Sequence, residues 1–213
     1  MGILLERILR REGRAFYTDN ELRLLLTGTS HSQKSIIKRA VRAGLLIRLR
    51  RGLYCVSEEI TQKKPHAFEL AQFIYGPSCI SLESALSYHD LIPEAVYTTT
   101  SVTINRNKTF TTPLGEYDFH KVPTKDFLLG VDRMTHGEAI FFIASPWRAL
   151  ADCVFCYKKH WESLTALEND LRLSIENLPK ITESLAKALK KYYHNKRVDT
   201  FLNKSIKGYL DGS

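Results

Sequence analysis

The spacing of apolar residues predicts three short helices in the first third of the chain, at about 3–12, 19–26 and 30–44. Two of the predicted starts carry a capping box, in which Ser or Thr precedes Glu or Gln by three residues: Thr18 with Glu21, and Ser30 with Gln33. A short turn around Gly28 separates the second helix from the third. Two capped helices joined by such a turn are typical of a helix-turn-helix motif.

The third predicted helix has one apolar face and one cationic face. The apolar face collects Ile36, Ile37, Ala40, Val41 and Gly44, and Gln33 falls beside them. A recognition helix presents its first polar residues to base edges and its later cations to phosphates. The opposite face therefore predicts base contacts by His31, Ser32 and Ser35 and phosphate contacts by Lys34, Lys38, Arg39 and Arg42. The alternative is an ordinary amphipathic helix whose basic face is solvated.

Residues 45–56 predict a basic β-hairpin directly after this helix. Apolar residues alternate with Arg48 and Arg50, and Gly52 can supply the positive φ of a tight turn. In a winged helix-turn-helix arrangement, Arg48, Arg50 and Arg51 would reach the DNA backbone or the adjacent minor groove. The order of three helices and a basic hairpin predicts such a DNA-binding domain.

The fold class predicted for the whole chain is α+β. A winged helix-turn-helix domain over 1–60 is followed, after a polar linker at 57–64, by a mixed α/β domain over 65–213 with a small sheet and a C-terminal helical bundle. The predicted helices of the second domain lie at 66–75, 81–89, 146–157, 161–176, 181–194 and 196–209. Alternation of period two predicts strands at 95–105, 108–112, 115–122 and 139–144.

The positive charge of the chain is concentrated in its first third. The chain has 213 residues and a net charge of +8, and residues 1–64 carry 14 Lys and Arg against 6 Asp and Glu, so the remainder is neutral. Such an asymmetry indicates a polyanion-binding module joined to a part with another task. We expect a cytoplasmic protein without a membrane span, because the chain shows no secretory signal and no long apolar run.

Four further stretches carry a family-specific pattern: 76–94 (GPSCISLESALSYHDLIPE), 100–115 with its Thr-Ser-Val-Thr and the later Arg106, Phe110 and Gly115, 143–152 (IASPWRALAD), and Arg-Gly-Leu-Tyr at 51–54. Over about residues 1–155 the chain thereby resembles the AbiEi-type antitoxins of type IV toxin–antitoxin systems. One departure is Trp147-Arg148, where typical members have Glu-Lys. We therefore expect no role at Trp147 that would need the acidic side chain of the family.

The resemblance implies a winged-helix repressor that binds double-stranded DNA at the operator of its own operon. It also implies that the protein opposes a cognate nucleotidyltransferase-like toxin and has no catalytic activity. One alternative is a winged-helix regulator without a toxin partner. A second is a DNA-acting nuclease, for which Glu116, Asp118 and Lys121 on one predicted strand are the candidates. Lys121 alternates with the two carboxylates, so we expect no nuclease site.

Two other sets of residues have competing interpretations. Cys153, Cys156 and His160 have helical spacing suited to a metal, but structural zinc normally needs four ligands and no second close pair follows, so we expect no metal. The chain also has no glycine-rich phosphate loop, so we expect no cofactor. The C-terminal cations are either a second surface for an acidic partner or, as we favour, the solvated faces of helices: Lys187, Lys190, Lys191, Lys196 and Arg197.

Overall fold

The structure, a computed structural model, describes residues 2–94 and 96–211 and shows a mixed α+β fold in this part of the chain. Its helices are α1 (Gly2–Glu12), α2 (Asp19–Leu24), α3 (Ser30–Arg42), α4 (Glu58–Thr61), α5 (Ala67–Ile74), α6 (Leu82–Tyr88), α7 (Pro146–Cys156), α8 (Leu164–Leu171), α9 (Glu183–Tyr193) and α10 (Lys196–Asp211). Its strands are β1 (Phe16–Thr18), β2 (Leu46–Arg50), β3 (Leu53–Val56), β4 (Ser78–Ile80), β5 (Thr98–Thr103), β6 (Lys108–Thr112), β7 (Gly115–Lys121), β8 (Val131–His136) and β9 (Ala139–Ala144).

The caps of α2 and α3 confirm one sequence prediction and correct another. At α2 the complete capping box forms: the Thr18 hydroxyl accepts a hydrogen bond from the amide of Glu21, and the Glu21 carboxylate accepts one from the amide of Thr18. At α3 the predicted Ser30 cap is wrong, because the N-cap is Thr29, whose hydroxyl accepts from the amide of Ser32. Gln33 instead donates from its side chain to the carbonyl of Leu26, just beyond the end of α2.

A three-stranded sheet of order β1-β3-β2 lies between two hydrophobic clusters. Because neighbouring residues of a strand point to opposite faces, Cys55 packs on the cluster of the second half of the chain while Val56 packs against the helices of the first half. In β1, likewise, Phe16 packs on the cluster of the second half of the chain and Tyr17 packs against the helices of the first half. The sequence prediction missed β1, which has only three residues. The two halves of the chain therefore share apolar contacts through this sheet.

A six-stranded mixed sheet of order β6-β7-β5-β4-β9-β8 forms the core of the second half. The predicted strands at 108–112 and 139–144 match β6 and β9, and the predicted strand at 95–105 is confirmed over β5, although Ala95 lies outside the described residues. The prediction missed β4, which is short and wholly buried, and β8, which is largely exposed. Neither strand shows the clean alternation that a half-buried strand displays.

The helices around this sheet follow the sequence signals in part. The predicted helix over 161–176 is wrong in its bounds, because α8 ends at Leu171, where Arg172 adopts a left-handed conformation, and only a 3₁₀ turn at Ile175–Asn177 follows. Ser145 and Pro146 begin α7 as predicted, with the proline in the first turn of the helix. The polar stretch 57–64, predicted as a linker, contains the short helix α4, whose Ile60 is buried against the N-terminal helices. Within the described residues, no helix is both long enough and apolar enough to cross a membrane.

A buried ion pair, Arg148 with Asp152, joins α7 to its neighbours. The two side chains are fully buried, and Arg148 Nε lies 3.0 Å from Asp152 Oδ2. The carboxylate also accepts hydrogen bonds of 2.6 Å from Ser81 Oγ and 2.6 Å from the hydroxyl of Tyr193, while the guanidinium donates to the hydroxyl of Tyr192 and to two loop carbonyls. Burial alone would lower the pKa of Arg148, but the carboxylate of Asp152 raises it.

We expect Thr18→Ala to lower the free energy of unfolding by about 1 kcal/mol at neutral pH, because it removes a hydroxyl cap. Burial acts to raise the pKa of Glu21, but hydrogen bonds from Thr18 and Arg14 outweigh it and hold the pKa below its ordinary value of 4.5. The ionised carboxylate therefore stabilises the fold at neutral pH, and this contribution is lost as the pH falls below 4.5. The effect of Thr18→Ala should shrink over the same range.

Urea unfolding at pH 7 and pH 3 measures this cap effect. Thr165→Ala is the matched control, because Thr165 is exposed in the first turn of α8, where the capping hydroxyl belongs to Ser163, and we expect it to change the free energy by less than about 0.5 kcal/mol. An equal loss for Thr18→Ala at both pH values would show that the carboxylate has no part in the cap.

Candidate nucleic-acid interface

Helices α2 and α3 and the β2–β3 hairpin enclose a concavity with a volume of about 610 Å³, which we call the basic groove. Its cationic residues come from all three elements. The lining residues are Asp19, Arg23, Lys34, Ile37, Lys38, Val41, Arg42, Arg48, Arg51, Gly52 and Tyr54. Lys34, Lys38 and Arg42 of α3 and Arg48 and Arg51 of the hairpin, all predicted as DNA contacts, therefore lie together on one surface.

Helix α3 is held by its apolar face, so that its cations point outward. Ile36, Ile37 and Ala40 are buried, as the sequence predicts, and Lys34, Lys38 and Arg42 of the opposite side are exposed. The side chain of Gln33 ties the start of α3 to the end of α2 through its 2.9 Å hydrogen bond to the carbonyl of Leu26. The orientation of the cationic face is thereby fixed by burial on one side and by this bond at the helix start.

The hairpin is fixed beside α3 by its turn. Gly52 has a φ of +82°, a conformation that residues with a Cβ rarely adopt, and its carbonyl accepts a 2.9 Å hydrogen bond from the amide of Asp19 at the start of α2. In the hairpin, Arg48 pairs with Tyr54, and both line the basic groove. The turn of the hairpin is therefore tied to the start of α2, and its strands contribute to the same groove as α3.

The groove has a strong excess of positive charge. Its one lining acid, Asp19, forms an ion pair of 2.7 Å with Arg23, so these two charges offset each other. In residues 2–94 and 96–211, no ion pair involves the other five cations of the lining: Lys34, Lys38, Arg42, Arg48 and Arg51. Five exposed cations on one concave surface attract a polyanion.

Arg50 lies apart from the basic groove, although the sequence groups it with Arg48 and Arg51. Its guanidinium donates a 2.8 Å hydrogen bond to the carbonyl of Phe73, near the end of α5. The cause is a β-bulge: Arg48 pairs with Tyr54 but Arg50 pairs with the adjacent Leu53, so the register shifts between the two arginines. Arg50 thereby connects the hairpin to the second half of the chain.

Four other predicted contacts also lie outside the groove lining: His31, Ser32, Ser35 and Arg39. The hydroxyl of Ser32 donates to the carbonyl of Thr29, so it serves the cap of α3. Arg39 Nε donates to the carbonyl of Ser35 one turn earlier. His31 is exposed in the first turn of α3.

Sequence reasoning missed three polar residues that line the groove, Asp19, Arg23 and Tyr54. The spacing of Asp19 and Arg23, four residues apart on α2, is the signal that an ion pair forms on the face next to α3. Tyr54 follows from its place in β3 directly across from Arg48. Both signals depend on knowing which faces of α2 and β3 meet the groove.

Among the residues considered for other chemistry, Asp118 has hydrogen-bond partners and Cys153 is buried. The carboxylate of Asp118 accepts a 2.8 Å hydrogen bond from Thr109 and lies 2.9 Å from the ring of His120. Burial raises the pKa of Cys153. In the described part of the chain, no group of three or more His, Cys, Asp and Glu side chains is arranged to hold a metal ion.

No protein-family model matches this chain, and no curated protein matches it in sequence. What the chain does is therefore inferred from the basic groove and from the residues of its sequence.

Proposed function

We propose that this chain is a DNA-binding transcription regulator, in which α3 enters the major groove and the β2–β3 hairpin is the wing of a winged helix-turn-helix. The observation that supports this proposal is the basic groove. Lys34, Lys38, Arg42, Arg48 and Arg51 come from two separate elements, and all are exposed around one concavity.

The shape of the surface favours duplex DNA over other polyanions. The major groove is about 12 Å wide and admits one α-helix, and a wing beside the helix meets the phosphates that flank it. Helix α3 has 13 residues, and its cations Lys34, Lys38 and Arg42 lie along its exposed side. Arg48 and Arg51 extend the positive charge onto the hairpin. A helix with a basic wing therefore fits phosphates on both sides of a groove.

Selection from random duplexes tests the proposal. The full chain is incubated with a pool of double-stranded DNA that contains a random segment, and the retained DNA is sequenced after several rounds. We expect a shared sequence to be enriched, because a helix in the major groove reads base edges. Retention of no duplex at low salt would contradict the proposal, and retention without any enriched sequence would contradict its role as a specific regulator.

Arg50 and Arg51 are a matched pair of neighbouring cations with different expected roles. We expect Arg51→Ala to reduce the salt dependence of DNA binding by about 0.9 in log–log slope, the value of one phosphate contact. We expect Arg50→Ala to leave that slope unchanged and to lower the free energy of unfolding by about 1 kcal/mol, because Phe73 loses its hydrogen-bond donor. Fluorescence anisotropy and urea unfolding measure the two effects, and equal slopes for both variants would refute the distinction.

We further propose that the regulator is a repressor of its own operon and an antitoxin of the AbiEi type, which opposes a nucleotidyltransferase-like toxin and is not itself an enzyme. The support is the resemblance of 76–94 and the other family-specific stretches. Trp147 and Arg148, which depart from the family pattern, are buried, with Trp147 donating to the carbonyl of Pro179 and Arg148 bound to Asp152.

Co-expression with the gene immediately downstream tests the antitoxin proposal. We expect that gene to encode a nucleotidyltransferase-like protein that arrests growth, and we expect this chain to restore growth. A reporter fused to the operon's promoter should be repressed by the same chain. A regulator without a toxin partner would repress the reporter and leave growth unaffected, and DNA cleavage with Mg²⁺ would instead identify a nuclease.

A further inference from the structure

Helix α5 begins with a histidine, His66, at its N-cap, where a hydroxyl, amide or carboxylate oxygen is the usual acceptor. The Nδ1 atom of His66 accepts a 3.3 Å hydrogen bond from the amide of Phe68, one of the first-turn amides that no carbonyl of the helix can reach. An acceptor nitrogen carries no proton, so the neutral ring has its proton on Nε2. Both nitrogens of a charged ring are donors, and the cap therefore exists only while His66 is neutral.

Three aromatic rings fix the position of this cap. The ring of His66 stacks on that of Phe141 of β9, with centroids 5.0 Å apart and planes 7° apart, and it meets the ring of Phe68 edge to face at 5.3 Å. His136, the last residue of β8, is the third neighbour, with its ring 5.2 Å away. His66 is therefore half-buried between the start of α5 and the β8–β9 hairpin.

The surroundings of His66 oppose a positive charge on its ring. Burial lowers the pKa of His66 below its ordinary value of 6.5, and the neighbouring ring of His136 lowers it further. The charged groups that line the same concavity, taken with the ion-pair partner of Arg14, balance in sign: Arg14 with Glu21, Lys63 with Glu138, and Lys64 against Glu69. No excess of negative charge from these groups is left to stabilise a protonated ring.

Helix α5 connects the two sheets of the fold. The side chain of Gln72 donates to the carbonyl of Ile140 and accepts from the amide of Phe142, so α5 is tied to β9. Near the end of the helix, the carbonyl of Phe73 accepts the 2.8 Å hydrogen bond from Arg50 of the β2–β3 hairpin. The cap at the start of α5 therefore stabilises the element that joins this hairpin to the six-stranded sheet.

We propose that His66 is a pH-sensitive cap: its neutral ring holds the start of α5 against the β8–β9 hairpin, and its protonation in mildly acidic solution loosens the connection between the two sheets. A proton on Nδ1 turns the acceptor into a donor that faces the amide of Phe68, and the new positive charge lies beside His136. The inference does not depend on DNA binding.

The direction of the effect follows from proton linkage. Folded His66 binds its proton more weakly than the unfolded chain does, because its pKa is lowered in the fold. The free energy of unfolding therefore decreases as the pH falls below 6.5, the ordinary value, and levels off below the pKa of the folded state.

Nuclear magnetic resonance of the imidazole nitrogens in the full chain, from about pH 8 to about pH 5, tests the cap directly. At the alkaline end we expect a neutral His66 ring with its proton on Nε2. We expect the ring to titrate with a pKa below 6.5 and the amide resonance of Phe68 to shift with the same pKa. His136→Asn should raise that pKa, because it removes the second cause. A neutral ring with its proton on Nδ1, or a pKa at or above 6.5, would overturn the proposal.

Amide exchange in two variants measures the release of α5. The reporter is the amide of Leu70, which donates a 3.0 Å hydrogen bond to the carbonyl of His66. We expect its protection factor in the parent chain to fall about fivefold between about pH 7.5 and about pH 5.5, as for the loss of one cap. His66→Asn should abolish this fall, because asparagine caps a helix and does not titrate. His160→Asn, at an exposed position beyond the end of α7, should show the same fall as the parent. An equal fall in His66→Asn and the parent would show that another group is responsible.

Discussion

Replacing Lys38 and Arg42 with alanine is expected to weaken the binding of duplex DNA by about fifty-fold at about 0.1 M salt. Both cations are exposed on α3, line the basic groove and have no ion-pair partner in the ranges that the structure covers. Each cation that contacts a phosphate releases condensed counterions, and this release contributes about 0.9 to the slope of log K against log salt. The double variant should therefore reduce the magnitude of the slope by about 1.8.

The control for this prediction removes the same charge elsewhere. Lys187 and Lys191 are exposed on α9, outside the basic groove. We expect Lys187→Ala with Lys191→Ala to leave both affinity and slope close to those of the parent chain. If this control lowers the slope as much as the α3 variant does, then the C-terminal cations are a second DNA surface and the basic groove is not the specific one.

Replacing Asp152 with alanine is expected to lower the free energy of unfolding by about 3–5 kcal/mol. The substitution leaves the guanidinium of Arg148 buried without its counter-charge, and it leaves Ser81 and Tyr193 without the acceptor that both now use. Burial is the first cause that raises the pKa of Tyr193, and the negative charge of Asp152 adds to it, so this hydroxyl stays a neutral donor. Urea unfolding followed by circular dichroism measures the loss.

Two controls separate the buried pair from ordinary loss of charge. Arg148→Met with Asp152→Leu replaces both charges by apolar side chains of similar size, and we expect it to cost much less than Asp152→Ala, because no uncompensated charge remains. Glu183→Ala breaks the exposed pair with Lys187, whose atoms lie 3.9 Å apart, and we expect a change below about 0.5 kcal/mol. A cost for Asp152→Ala as small as that of Glu183→Ala would show that the network does not stabilise the fold.

The elements with local signals could be predicted from the sequence. The capping box at Thr18 and Glu21, the turn at Gly52 and the Ser145-Pro146 start of α7 each involve residues that are close together in the chain. Such signals do not depend on the rest of the fold. They were sufficient to predict α1 to α3 and the hairpin, and hence five cations of the basic groove.

The elements that depend on distant residues could not be predicted in this way. Strand β1 is only three residues long, and it exists because Phe16 to Thr18 pair with β3, nearly forty residues later in the chain. Arg50 points away from Arg48 because of the bulge between them, which the alternation of the sequence does not reveal.

The buried pair shows the same limit. Arg148 and Asp152 are four residues apart on a helix, a spacing that ordinarily indicates an exposed ion pair. They are buried because α9 brings Tyr192 and Tyr193 over them. Only the packing of α7 against a helix some forty residues later distinguishes this pair from a solvated one.

The salt dependence of DNA binding tests the central claim most directly. A labelled duplex chosen by selection is titrated with the full chain at stepwise salt concentrations, and fluorescence anisotropy gives the affinity at each step. We predict saturable binding with a log–log slope of about −4.5, because five cations of the basic groove meet phosphates at about 0.9 each. No binding at about 50 mM salt, or a slope between zero and about −1, would contradict the claim that α3 and the hairpin both contact the DNA.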